Sequence, residues 1–154
     1  MYIASISTGF IEVPGKISLN IFTQGCSVRC KQCQNEHLQP FLKKEDINTD
    51  KFEQILLDKE LPTWICWLGG EPTDQPEEFI RFNKIIIKNN YKICLYTGKL
   101  FENIENLLEN VDLVIDGPWE GKLVSDSNTN QRIFYRTNNG WKQYKWNELK
   151  GVIC

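Results

Sequence analysis

With 154 residues, 18 basic and 20 acidic side chains and a formal net charge of −2, the chain has the length of one domain and nearly balanced charge. A chain of this size buries roughly 70% of its unfolded surface, enough for a real core. Nothing in this balance, which has no long run of either sign, points to nucleic-acid phosphates or an anionic membrane, and no apolar stretch reaches transmembrane length.

The opening MYIASISTGFIEVPG lacks the basic start and apolar run of a secretory signal, so a cytoplasmic setting is expected. In a reducing compartment the six cysteines are thiols or metal ligands rather than disulfides, and their placement becomes informative.

Residues 16–24, KISLNIFTQ, alternate around Ile17, Leu19, Ile21 and Phe22 and end at Gly25, which predicts a strand delivering a cysteine-bearing loop. From Cys26 to about Asn48 there is little periodicity, and long irregular segments inside a domain are commonly functional. Thr49-Asp50-Lys51-Phe52-Glu53 predicts a helix start, with Glu53 three residues after Asp50 and Phe52, Ile55 and Leu56 on one face. TWICWL at 63–68 has the look of a buried strand stopping at Gly69-Gly70.

Asp74 is placed to cap a helix that begins near Pro76 and lines Phe79, Phe82 and Ile86 on its apolar face. A strand at 91–98, a helix at 101–110 and a strand at 111–117 complete a β-α-β-α-β-α-β rhythm. Asn139-Gly140 marks a C-terminal β-hairpin. With no internal repeat or low-complexity tract, a single domain over 1–154 is expected, its core about 16–118 and an extension about 119–154.

Alternating strands and helices predict an α/β fold with right-handed crossovers and a mostly parallel sheet. Ligands in such sheets sit beyond the carboxyl ends of the strands. The cysteine loop, Gly69-Gly70-Glu71-Pro72, Thr97-Gly98 and Asp116-Gly117 all follow predicted strand ends, so they should meet on one rim.

Cys26, Cys30 and Cys33 stand at intervals of four and three. A four-iron cluster has four irons to satisfy, and three local thiolates leave one iron open, as catalytic metal sites leave a position open. The bland alternative is a structural zinc site closed by His37; otherwise His37 is an exposed loop histidine. Cys66 and Cys94 lie inside apolar strands and read as core thiols, and Cys154 as a fraying terminus.

The Cys26-x3-Cys30-x2-Cys33 spacing resembles that of the radical S-adenosylmethionine enzymes. PGKISLNIFTQGC with CQN, the downstream LGGEP, YTG and VDLVIDG, and Asn130-Gln131-Arg132 are similar to the activating proteins of anaerobic ribonucleotide reductase, over roughly residues 6–136. The chain departs from the pattern at Gln32, where many such enzymes carry an aromatic residue, and at Asp126-Ser127, where the family has Arg-Gly.

The resemblance implies a partial, incomplete β/α barrel of the radical SAM type. It implies a [4Fe-4S] cluster on Cys26, Cys30 and Cys33, with S-adenosyl-L-methionine on the open iron. Reductive cleavage would yield a 5′-deoxyadenosyl radical that takes a hydrogen atom from a glycine of the large reductase subunit. Gly69, Gly70, Glu71 and Pro72 would approach the cofactor's methionine moiety, and Thr97, Gly98 and Asp116 would line the same pocket. The implied partners are the large glycyl-radical subunit and a low-potential donor such as flavodoxin or ferredoxin. Two alternatives remain: a small-molecule radical enzyme resembling the 7-carboxy-7-deazaguanine synthases, and a zinc-stabilised binding module.

Overall fold

The computed structural model describes residues 1–42, 47–58 and 61–153. Seven strands among them form one sheet in chain order: β1 (Ile3–Gly9), β2 (Ser18–Thr23), β3 (Trp64–Gly69), β4 (Lys92–Tyr96), β5 (Leu113–Asp116), β6 (Arg132–Thr137) and β7 (Gly140–Tyr144). β2, β3, β4 and β5 run parallel, while β1 at one edge and β6 and β7 at the other are antiparallel to their neighbours. The α/β class, the parallel centre and the C-terminal hairpin are as the sequence predicts.

Helices α1 (Thr49–Leu57) and α2 (Pro76–Lys88) cover one face. Strand residues alternate between faces, so Leu19, Ile21, Ile65, Trp67, Ile93, Leu95 and Val114 meet Phe52, Leu56, Phe79, Phe82 and Ile86 of the helices. The opposite face carries Trp64, Cys66, Cys94, Leu113, Ile115, Ile133 and Tyr135, and is partly closed by Val13 and by Leu149 and Ile153 of a third helix, α3 (Trp146–Ile153).

Four local expectations change. The sequence reading contains no β1, an edge strand rich in small and hydroxyl residues that gains its identity only by pairing with β2. Helix α1 is capped by Asn48, whose side chain accepts from Lys51 N at 2.9 Å, rather than by Asp50, which falls in the first turn where the helix dipole favours it. Helix α2 has no side-chain cap, because the Asp74 carboxylate is engaged elsewhere.

The expected helix at 101–110 is instead two 3-10 turns, Phe101–Asn103 and Glu105–Leu107, separated by Ile104 at φ −128°. The apolar spacing of Phe101, Ile104, Leu108 and Val111 imitates a helical stripe, and all four are buried. Asp116 accepts from Phe101 N at 2.6 Å and ties the start of this segment to the end of β5. No helix among the described residues is long and apolar enough to cross a membrane.

Candidate functional site

At their carboxyl ends β2 is laced to β3, and β4 to β5, by main-chain hydrogen bonds. Gly70 N donates to Thr23 O at 2.9 Å and Glu71 N to Gly25 O at 2.7 Å, which joins the loop after β3 to the start of the cysteine loop. Gly117 N donates to Lys99 O at 3.2 Å, joining the loops after β4 and β5. A Cβ on Gly70 would lie 2.2 Å from Gly25 O, so only glycine permits this approach.

Between these loops and the sheet face away from α1 and α2, its inner face, is a cavity of about 710 Å³, lined by Cys26, Cys30 and Cys33. Gly69, Gly70, Glu71, Thr97 and Gly98 border it as well. Cys26 is buried, and burial pushes its thiol upward; Cys30 and Cys33 are half-buried. Cys30 Sγ accepts the main-chain N–H of Trp119 at 3.2 Å.

Three thiols on one loop, opening on one cavity, suit a polynuclear cluster in which each thiolate takes a separate iron. Among the described residues, no three His, Cys, Asp or Glu side chains converge to hold a single ion. His37 is exposed in a short 3-10 turn and does not border the cavity, so the geometry does not assemble the closed zinc shell.

Glu71 is fully buried, and its carboxylate is taken up by its own neighbourhood. It accepts from Thr73 N at 3.1 Å, Thr73 Oγ1 at 2.5 Å, Thr97 Oγ1 at 2.9 Å and Gly98 N at 2.9 Å. Burial pushes this carboxyl above its ordinary value, although the donors pull the other way. The side chain therefore joins the loop after β3 to the loop after β4, and Thr97 and Gly98 are the residues it holds.

Pro72 is buried and opens the 3-10 turn Pro72–Asp74, while the cavity is bordered by the residues before it. Asp116 is also buried, but its carboxylate accepts from Arg132 and Phe101 N and does not border the cavity. Arg132 in turn pairs with Glu102 at 2.9 Å, and both carboxylates hold its guanidinium firmly protonated. Gly117 borders the cavity in place of Asp116. Cys66 and Cys94 are side by side in the inner face, fully buried, and burial pushes the Cys66 thiol well up. Cys154 lies outside the described residues.

Other residues enter that the sequence reading did not assign. Asp74 accepts from Ser27 N at 2.6 Å and Ser27 Oγ at 2.9 Å and pairs with Lys99 at 2.7 Å, clamping three loops around the cysteines. The segment after β1 also folds over the inner face, where Tyr96 Oη donates to Glu12 O at 2.9 Å, and Phe10 and Ile11 border the cavity while exposed. Trp146 and Lys150 of α3 border it from the opposite end of the chain. A hydroxyl residue next to Cys26, answered by an acidic residue just after Gly-Gly-Glu-Pro, was the available signal for the clamp. The other contributions arise from folding over long sequence separations and had none.

The chain matches the family described as 4Fe-4S single cluster domain over residues 13–136. It is 28% identical over 116 residues to the pyruvate formate-lyase-activating enzyme of Clostridium pasteurianum, which takes in 71% of this chain and 48% of that protein. The chain thus spans about half the length of the curated relative it matches. Among solved structures, QueE from Escherichia coli has a like fold, with a TM-score of 0.50 at 19% identity, covering 62% of this chain and 51% of that one.

Proposed function

The chain belongs to the 4Fe-4S single cluster domain family, and from that premise we propose that it is a radical S-adenosylmethionine activase that installs a glycyl radical on anaerobic ribonucleotide reductase. The family match and the relatives support a 4Fe-4S cluster and S-adenosylmethionine as cofactors of a radical SAM enzyme. The similarity to an enzyme that activates pyruvate formate-lyase supports a glycyl-radical protein as partner. The observation that carries the proposal is the grouping of Cys26, Cys30 and Cys33 on one cavity edged by Gly69 and Gly70.

When bound, the cluster and cofactor would supply one-electron reductive radical chemistry. The chain's own part is to hold and orient. Cys26, Cys30 and Cys33 would anchor the cluster, and the Gly69-Gly70 backbone, packed against Phe22, Thr23 and Gly25, forms the cavity edge. Glu71 keeps the Thr97-Gly98 loop against that edge through two donors, Thr97 Oγ1 and Gly98 N, while two more from Thr73 fill the rest of its carboxylate. Pro72 sets the direction of the turn, and Asp116 acts from behind the rim by fixing Arg132 and Phe101.

A second reading, a small-molecule radical enzyme, would use the same cavity of about 710 Å³, which would have to hold a small substrate beside the cluster and cofactor. One experiment separates the two. The protein is reconstituted anaerobically with iron and sulfide, reduced, and mixed with S-adenosylmethionine and the large reductase subunit, and the electron paramagnetic resonance spectrum is recorded. A glycyl doublet on the subunit is expected. Cofactor cleavage without a doublet transfers the assignment to the second reading, and a colourless protein unable to cleave the cofactor overturns both.

A further inference from the structure

We propose that the main-chain N–H of Trp119 is a positioning and redox-tuning group for the Cys30 thiolate, a role that rests on the cluster site proposed above. The donor lies 3.2 Å from Cys30 Sγ and comes from 89 positions along the chain, beyond β5. Cys26 differs, since the backbone groups bonded to it, from Val28 and Arg29, belong to its own loop.

The loop that carries Trp119 is built to hold this amide in place. Asn130 Nδ2 donates to Pro118 O at 2.7 Å and Gln131 Nε2 to Gly117 O at 3.4 Å, so the strand-entry segment of β6 grips the two carbonyls before Trp119. Two residues further on, Gly121 has φ +78°, and a Cβ there would stand 2.5 Å from Gln32 Oε1. The Gln32 side chain, next to Cys33, therefore lies directly against the loop. Trp119 itself is half-buried and, like Cys30, borders the cavity.

A hydrogen bond to a cluster-bound thiolate draws charge from sulfur and favours the more negative, reduced state of the cluster. The Trp119 amide thus raises the reduction potential, so that electron transfer into the site asks less of the donor. Because the group is a main-chain amide, side-chain truncation leaves it intact and removal of the N–H eliminates it.

The test uses the full chain, reconstituted anaerobically, with the midpoint potential read by redox titration monitored by paramagnetic resonance. Trp119→Ala retains the N–H and is expected to titrate with the unmodified protein. Trp119→Pro, and the backbone ester made by incorporating the α-hydroxy analogue of tryptophan at 119, are expected to titrate at lower potential. Both should lack one deuteron coupling that the unmodified protein shows in pulsed spectra recorded after transfer to heavy water. Should Trp119→Pro fail to take up iron, the ester decides, since it preserves the side chain. Equal potentials for the alanine and ester forms overturn the tuning role alone. Failure of the unmodified protein to assemble a cluster overturns the site on which it rests.

Discussion

The two faces of the sheet are built from alternate residues of the same strands, yet they are furnished for different tasks. In β3, Ile65 and Trp67 point to the helix-covered face, where Trp67 sits among Phe52, Phe79 and Phe82 with ring centroids 5.8–6.4 Å away. Trp64, Cys66 and Leu68 point to the other face, which also holds the buried Ser18 and Asn20 and is only partly closed by α3 and Val13. One face is a closed apolar layer. Its counterpart is mixed in polarity and left open towards the strand ends, which is where the cavity forms. A parallel sheet covered on both faces binds ligands only beyond its strand ends; covering one face fully and the other in part extends the cavity from those ends onto the sheet itself.

The largest effect expected from breaking this contrast separates cysteines that differ only in location. Cys30→Ala should abolish iron uptake and cofactor cleavage. Cys66→Ala, in the inner face but below the cavity, should leave both intact and cost on the order of 1 kcal/mol of stability. Iron content and 5′-deoxyadenosine release after reconstitution measure the first pair of quantities, and denaturant midpoints the last. Equal losses of iron from the two variants would erase the distinction between rim and core thiols.

On the closed face the effect moves from chemistry to folding. Trp67→Ala removes the centre of the aromatic cluster and also the donor to Asn83 Oδ1 at 2.8 Å. The expected cost is about 3–5 kcal/mol, read as a lowered urea midpoint with an unchanged slope. The fraction that remains folded should still take up its full iron. Loss of iron in proportion beyond the loss of folded protein would show that the two faces are not independent.

The same contrast explains what could be read from the chain alone. Strands β2 to β5 and helix α2 are legible because their buried faces impose a period on the sequence, and the three cysteines because their spacing is local. β1 is not, since Ile3-Ala4-Ser5-Ile6-Ser7-Thr8-Gly9 has too little apolar contrast to announce an edge strand. The segment after Gly98 misleads because two 3-10 turns bury the same positions that one helical stripe would. Asp74 and Asp116 have chemistry visible in the sequence but partners that are not: Ser27 and Lys99 for one, Arg132 and Phe101 for the other. A carboxylate near a site in sequence is thus a candidate ligand until folding shows which donors already occupy it.

Glu71 joins the two regions, and it carries the smallest of these effects. In Glu71→Gln the amide can accept at one position only, so either Gly98 N or Thr73 N faces an NH2 group and is left buried without an acceptor. The expected cost is about 1–3 kcal/mol. The cost should depend on pH with a definite sign. Burial raises the Glu71 carboxyl above its unfolded value, so between the two values the folded state binds more protons than the unfolded state. The stabilisation from this group is therefore full below the ordinary glutamate range and is lost as pH rises through the raised value. Glutamine does not titrate, so the stability gap between the two proteins should be widest at the acidic end and narrow as pH rises. Paired denaturation curves across that range measure the gap directly. A gap that widened with rising pH would mean that the donors from Thr73, Thr97 and Gly98 outweigh burial, and that Glu71 sits at the rim as a stabilised anion.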